Sequence, residues 1–524
     1  MKKLPIGIQT FEKLRVGNYL YVDKTAYIHQ LVTRNNYYFL SRPRRFGKSL
    51  LISTIKAFFE GKKDLFEGLY IYEKIVEWTI YPVIHIDYSL INYKDGKAKF
   101  EATLVDNLKA IGNHYGVRLH SEIVSSVFVE LVQKLHDKHG KVVILVDEYD
   151  KPLVDKLGDD KTFEENRAIL RELYGVMKGL DAYLQFVLLT GVSRFARVSV
   201  FSGMNNLADI STNNAFANIV GFTQEELNTN FTSWIEQLKS ALRLPSEIIE
   251  YQIKQWYNGY SFDGNSRLYN PFSILNLFDH LQFNNYWFLS GTPIFLINII
   301  RQQKQLPETF EQLRTTDLTG SFSNKNAYPI LQLLFQTGYL TIKKVEMDGV
   351  RSIYHLDYPN EEVKYSFLTY LLADFTQKER SEVEPKTFDL KNALKVEKID
   401  RFTQILQSFL ADIPARLHIP KEAYYHSLVY MILRLMGIQL LLEKETSKGR
   451  IDAVLELTDK VYILEFKFAT NKRIKNVQTL AKKAIQQIET QKYYEPYLGS
   501  GKKIILLGIG FLNKQLSSKV KILE

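Results

Sequence analysis

The sequence predicts an α/β protein in three parts: a mostly parallel sheet, a helical middle region, and a second, smaller α/β segment. Three observations carry that prediction. Short β-branched or aromatic runs alternate with helical patterns from Tyr37 to about Phe222, one apolar run ends in adjacent carboxylates at Asp147 and Glu148, and the net positive charge is gathered in the last quarter of the chain. Alternation of this kind is the signature of parallel βαβ units.

Length and composition set the bounds. At about 150 residues per domain, 524 residues exceed what one hydrophobic core holds. With 45% apolar and 24% charged residues the chain is of ordinary globular composition, which excludes disordered and fibrous classes. No apolar run approaches the ~18 residues of a membrane span. The opening MKKLPIGIQT lacks the apolar stretch and cleavage site of a signal peptide. The expectation is therefore a cytoplasmic protein with no membrane partner. The absence of cysteine excludes disulfides and thiolate zinc sites, and the ten histidines show no ligand spacing.

The elements follow in order. Candidate strands are Tyr37–Leu40, Val83–Asp87, Val142–Val146 and Leu184–Thr190, with helices such as Leu50–Phe59 and Glu164–Lys178 between them. From about Thr223 to Thr376 the pattern is mostly helical. It includes Pro271–Phe283 and Asn326–Leu340, then a hairpin of Leu340–Val345 and Ser352–Leu356, which suggests a winged-helix-like module. A polar stretch, Gln377–Lys386, leads into a segment that reads helix, helix, three strands, helix, strand. The expected domains are residues 1–222, 223–376 and 386–524.

Charge separates the last domain from the rest. From Lys386 onward there are 24 basic and 14 acidic residues, whereas the first 385 carry 44 of each. A basic segment on a neutral body fits a polyanionic partner such as nucleic acid, and also fits lysines that merely keep a domain soluble.

The first site lies between the opening strand and helix. Arg42–Ser49 reads RPRRFGKS, a loop whose backbone N–H groups, at Arg45, Phe46 and Gly47 in particular, would meet phosphates together with the helix dipole. Lys48 would reach the β- and γ-phosphates of ATP, and the Ser49 hydroxyl would ligate Mg²⁺. The usual pattern begins with glycine. Here Arg42 takes that place, so Arg42 is expected in a loop conformation where glycine would be easier. Lys141–Asp150 reads KVVILVDEYD, an apolar strand that delivers acids at its carboxyl tip, where parallel sheets bind ligands. Asp147 would hold the Mg²⁺ shell and Glu148 would polarise the attacking water. In Leu189–Ser202, LTGVSRFARVSVFS, a γ-phosphate sensor could sit at Thr190, Ser193 or Arg194. Arg194 or Arg197 could serve as an arginine finger, in trans only within a homo-oligomer. A loop that merely carries two arginines accounts for the same pattern.

The second site lies in the basic segment. Ile451–Leu457 and Val461–Phe468 flank a short Thr458–Lys460 turn and form a hairpin. Glu465 and Lys467 share one face of the second strand. An even loop brings Asp452 onto that face; a three-residue loop sends it to the other unless a bulge intervenes. Asp452 and Glu465 would hold Mg²⁺ or Mn²⁺ while Lys467 orients the water attacking a phosphodiester. Lys472, Arg473, Lys475, Lys482 and Lys483 would track a nucleic-acid backbone. Glu443 and Gln487 stand close by in the predicted elements, as further ligands or as solvated residues. A surface hairpin with an Asp–Lys pair is the plain alternative.

The motifs together bring a family into view. LPIGIQTFEKLR with YVDKT, SRPRRFGKSLL, DEYDKPL, TGVSRFARVSVFSGMNNL and WYNGYSF (Trp256–Phe262), followed by GRIDAVLE and YILEFK, resemble the bacterial AAA-ATPase-like proteins with a C-terminal PD-(D/E)XK nuclease-superfamily domain. The resemblance spans nearly the whole chain, and that family's loop commonly has arginines where glycine is expected. It implies a P-loop ATPase of restriction-endonuclease-like C-terminal fold, with nucleotide contact by Lys48 and Ser49 and metal or water roles for Asp147 and Glu148. It also implies nuclease-type roles for Asp452, Glu465 and Lys467. Two functions follow as expectations: an ATPase whose nucleotide state gates a metal-dependent nuclease, or an ATP-dependent switch with a catalytically silent nuclease fold that only binds nucleic acid.

Overall fold

The computed structural model of the chain describes residues 2–34, 36–194, 206–289, 296–297, 299–300, 313–319, 330–413, 422–446, 449–469, 476–512 and 514–523. They divide into two compact units, one running to Lys364 and the other from Tyr365.

The first unit is built on a five-stranded sheet of β1 (Tyr37–Ser41), β2 (Val83–Asp87), β3 (Val142–Asp147), β4 (Leu184–Gly191) and β5 (Ala208–Asp209), in the order β2-β3-β4-β1-β5. All of its pairings are parallel. The continuous Val/Ile/Leu runs of β3 and β4 are buried because helices cover both faces of such a sheet. β4 therefore stands between β1, which feeds the RPRRFGKS loop, and β3, which ends in the acids.

The region after the sheet is helical, as the sequence predicts. Gln224–Asn230 opens with a capping box of Thr223 and Glu226, and Thr232–Leu242, Ser246–Tyr257 and Pro271–His280 follow. Their apolar faces meet around Phe231, Leu238, Ile253 and Leu277, and Leu20 and Val22 from the N-terminal segment enter the same core. The helix beginning at Pro271 stops three residues before the expected Phe283, because Leu281 turns left-handed at φ 51°. The helix expected over 326–340 is described as Ile330–Thr337. The hairpin is β7 (Thr341–Asp348) and β8 (Arg351–Asp357), joined by a short β6 (Leu313–Thr315) in the antiparallel order β6-β8-β7.

The second unit carries the helices Arg380–Lys395, Ile399–Asp412 and Glu422–Leu435 and a mixed sheet. The polar stretch Gln377–Lys386 is not a plain connector: a Glu379–Glu382 capping box starts a helix inside it. The sheet consists of β9 (Gln439–Thr446), β10 (Gly449–Glu456), β11 (Lys460–Ala469), β12 (Lys503–Leu512) and β13 (Gln515–Leu523), in the order β13-β12-β11-β10-β9. Only β11 and β12 are parallel, connected over the sheet by the helix Val477–Gln491. The last strand, β13, goes beyond the sequence expectation.

Candidate functional site

The loop after β1 owes its shape to Arg42, Arg45 and Gly47. Arg42 is fully buried and does not take a positive φ, where glycine would be easier; Arg45, at φ 64°, and Gly47, at φ 97°, do. Arg42 instead acts as a brace. Its guanidinium donates to the carbonyls of Ser41 (2.9 Å), Ser211 (2.6 Å) and Phe216 (3.2 Å) and lies 4.0 Å from the centre of the Phe262 ring. Burial pushes its pKa down to about 9. Phe46 is buried edge-on to Tyr260 and Phe262, at 4.9 and 5.5 Å between ring centres.

Gly47 caps the helix Lys48–Phe59 without a side-chain hydrogen bond. A helix start left in this way presents unsatisfied N–H groups to an anion. Lys48 is buried and donates to the loop carbonyls of Arg42 (2.9 Å) and Pro43 (3.0 Å). Burial lowers its pKa, opposed by the charges of Asp147, Glu148 and Asp150. Ser49 is half-buried on the same helix.

The tips of β3 and β4 are locked to each other. Asp147 is buried and accepts from the Thr190 hydroxyl at 2.6 Å. Asp150 accepts from the Val192 backbone N–H (3.1 Å) and from both the N–H (2.5 Å) and the hydroxyl (2.6 Å) of Ser193, and burial raises its pKa against those bonds. Gly191 makes this approach possible: a Cβ there would stand 2.5 Å from Asp150 Oδ1 and from the Tyr149 ring. On the other flank, the Ser41 hydroxyl donates to the Val192 carbonyl at 2.5 Å. Glu148 is left-handed at φ 54°, a strained conformation for a non-glycine residue, and its carboxylate pairs with Lys151 at 2.6 Å.

These residues open on one cavity of about 500 Å³, within the range of small-ligand sites. Lys48, Ser49, Asp147 and Glu148 line one part of it, and so does Asp87 at the tip of β2. Asp87 stands in register beside Asp147. Sequence reasoning gave it no role, although β2 ends in an acid just as β3 does. Another part of the wall is apolar, with Ile8, Leu20, Val22, Val220, Phe222 and Phe272. The N-terminal LPIGIQ and YVDKT segments thus have a place in the site. Lys24 fastens the second of them through Glu226 (2.6 Å) and the Asn218 carbonyl (2.9 Å). Arg194 is held elsewhere: its guanidinium pairs with Asp209 at 2.7 Å, its backbone N–H donates to Gln336, and it does not line the cavity. Arg197 lies outside the described residues.

In the second unit the hairpin register decides the face. Glu456 pairs with Val461 and Ala453 with Leu464, which leaves the even loop 457–460, one residue longer than the Thr458–Lys460 turn read from the sequence, and closed by a bond from the Leu457 N–H to the Lys460 carbonyl at 2.8 Å. Asp452 therefore comes to the Glu465 side, where its carboxylate accepts from the Phe466 N–H at 2.7 Å. Lys467 donates to Glu465 Oε1 at 2.8 Å. Glu465 is buried, and its Oε2 has no hydrogen-bond partner among the described residues. Burial, and after it the neighbouring Asp452, raise its pKa to about 7, against the pull of Lys467. An orphaned carboxylate oxygen beside a second carboxylate has the donor chemistry of a Mg²⁺ or Mn²⁺ site. No group of three or more acids or histidines among the described residues stands close enough together to hold a metal ion by itself. The side chain of Glu443, and Lys472, Arg473 and Lys475, lie outside them.

Residues 5–201 match a family described as predicted AAA-ATPase, and residues 420–521 match the PD-(D/E)XK nuclease superfamily. A protein of Azotobacter chroococcum mcd 1, named as an uncharacterized protein in the vnfD 5′ region, is 37% identical over 97% of this chain and 96% of its own length. Among solved structures, the Aeropyrum pernix Orc1 protein in complex with DNA covers 65% of this chain and 90% of its own, with 11% identity. Its TM-score of 0.24 is too low to carry an argument.

Proposed function

The chain belongs to the predicted AAA-ATPases that carry a C-terminal PD-(D/E)XK nuclease-superfamily domain, and from that premise we propose that it binds and hydrolyses ATP in the first unit to gate a metal-dependent nuclease in the second. The observation that carries the nucleotide reading is the shared cavity, with Lys48 and Ser49 on one strand–helix junction and Asp147 and Asp87 on neighbouring strand tips. Lys48 would exchange its loop carbonyls for phosphate oxygens. Ser49 and Asp147 would hold Mg²⁺, and Glu148 would orient water once released from Lys151. The apolar wall formed by Ile8, Leu20 and Val22 suits a base.

At the hairpin, Asp452 and Glu465 would hold the divalent ion and Lys467 would orient or activate water. Such an ion supplies Lewis-acid polarisation of a phosphodiester and a more acidic water. The basic excess of this segment suits DNA or RNA as substrate. No helix among the described residues is long and apolar enough to cross a membrane, and the reading places the protein in the cytoplasm.

One observation favours the alternative, a silent fold that only binds nucleic acid: Lys467 is committed to Glu465. Against it, the Lys467 side chain keeps 32% exposure. The deciding experiment is cleavage of plasmid, single-stranded DNA and RNA with Mg²⁺ or Mn²⁺, with and without ATP, by the wild type, Lys48→Ala and Lys467→Ala. Cleavage that disappears in Lys467→Ala and shifts with ATP or in Lys48→Ala supports the gated nuclease. Binding without metal-dependent cleavage of any substrate supports the switch.

A further inference from the structure

The WYNGYSF segment looks two ways. Tyr260 and Phe262 pack on the phosphate loop, whereas Asn258 and Gly259 belong to the wall of a second cavity in the first unit, of about 530 Å³. Four cationic side chains line it, Lys254, Arg267, Lys343 and Lys364, against two carboxylates, Asp357 and Glu361. Lys343 donates to the Pro359 carbonyl at 3.0 Å, and Arg267 donates to the Lys343 carbonyl at 2.7 Å. Two of the four cations, Lys343 and Arg267, are thus fixed by the fold. Burial lowers the pKa of Lys343; Arg267 and Lys364 lower it further, and Asp357 and Glu361 oppose them.

Two more features mark this wall as built. Gly259 takes φ +120°, and a Cβ there would come 2.1 Å from the Pro359 carbonyl oxygen, so two backbone segments meet with no side chain between them. Asn360 precedes the helix Glu361–Thr376 and is only 8% exposed. Its Oδ1 accepts from the Val363 N–H at 3.1 Å, while its Nδ2 is buried with no partner among the described residues. A buried amide donor without an acceptor costs stability unless a ligand satisfies it. Here that donor sits at a helix N-terminus, among an excess of cations.

We propose that this second cavity binds a small phosphate-bearing anion, of the size of pyrophosphate or a nucleoside monophosphate, distinct from the nucleotide at Lys48. Its volume falls within the range for small ligands. A duplex backbone, by contrast, is tracked along an open surface. Lys254 and Lys343 supply the charge, and Asn360, itself part of the wall, would supply its unpartnered Nδ2 as a neutral donor on a small turn of its side chain.

The test is calorimetric titration of pyrophosphate and of AMP into full-length Lys48→Ala protein, which weakens the first site, compared with the same protein carrying Lys254→Glu or Lys343→Met. Lys254 is exposed, so its replacement leaves folding intact even if Lys343→Met does not. The expected result is binding of at least one anion to Lys48→Ala, reduced tenfold or more by each added substitution. Tighter binding of AMP than of pyrophosphate identifies a nucleotide as the source. Unchanged affinity in Lys254→Glu and Lys343→Met overturns the proposal. So does a response to a 5′-phosphorylated oligonucleotide in the absence of any response to either small anion.

Discussion

Arg42 lies over Phe262, with its guanidinium carbon 4.0 Å from the ring centre, and so ties the start of the phosphate loop to a residue 220 positions further along the chain. Arginine is suited to this because a planar cation stacks on an aromatic face while its edge donates to carbonyls. Arg42→Gly, which would restore the usual glycine of the motif, is expected to destabilise the first unit by about 3 kcal/mol, because several buried carbonyls lose their donor. Denaturant unfolding should show the loss; a variant as stable as the wild type would mean that the brace carries no energy.

Gly191→Ala is expected to be worse than its single methyl suggests. The new Cβ would stand 2.5 Å from Asp150 and from Tyr149, and overpacking of that kind costs about 1–3 kcal/mol. Because the clash pushes the β3 and β4 tips apart, ATP affinity should fall along with stability. A nucleotide titration beside a thermal melt would register both.

Glu362 gives the first unit a pH dependence. It is fully buried, accepts from the Trp287 N–H and the Ser273 hydroxyl at 2.8 Å each, and burial raises its pKa to about 8. A carboxyl group whose folded pKa exceeds its unfolded value holds more protons when folded, so stability falls as pH rises between the two. The contribution is complete below about pH 4.5 and is lost, by a few kcal/mol, as pH climbs to about 8. Glu362→Gln keeps both bonds, with its oxygen toward Trp287 and its amide toward Ser273, and should flatten this slope. Melting curves from pH 5 to 9 would reveal it.

Lys467→Ala should reduce metal-dependent cleavage by about 100-fold, the usual weight of a group that positions or deprotonates water. ATP binding at Lys48 should be untouched. A parallel loss of nucleotide binding would point to misfolding rather than to chemistry.

The sequence spoke clearly where the signal is local. The strand–loop–helix around Lys48 and the apolar strand ending at Asp147 declare themselves through periodicity and through residues that adjoin in the chain. The partners of Arg42 and Arg194 do not, because Ser211, Phe262 and Asp209 meet them only through the fold. Arg42 therefore reads as a strained loop residue when it is a brace, and Arg194 as a free cation when it is paired. Asp87 shows its meaning only once β2 lies in register with β3. The strand Gln515–Leu523 was hidden for a different reason: it is an edge strand, half-exposed and carrying Lys519 and Lys521, and its apolar alternation is weak. The start of the helix Arg380–Lys395 is obscured by Pro385 in its interior, which reads as a break.

The hairpin turn between β10 and β11 bears on how this chain can change over its descent. Strand faces alternate with every residue, so a slip of the pairing by one residue would carry Asp452 across the sheet, away from Glu465, and would turn the buried side chains of both strands outward with it. A residue gained in the turn between Glu456 and Val461 is free to lengthen the loop and leave the pairs as they are. The turn is therefore where this chain can vary in length, and the strands on either side of it are where it cannot.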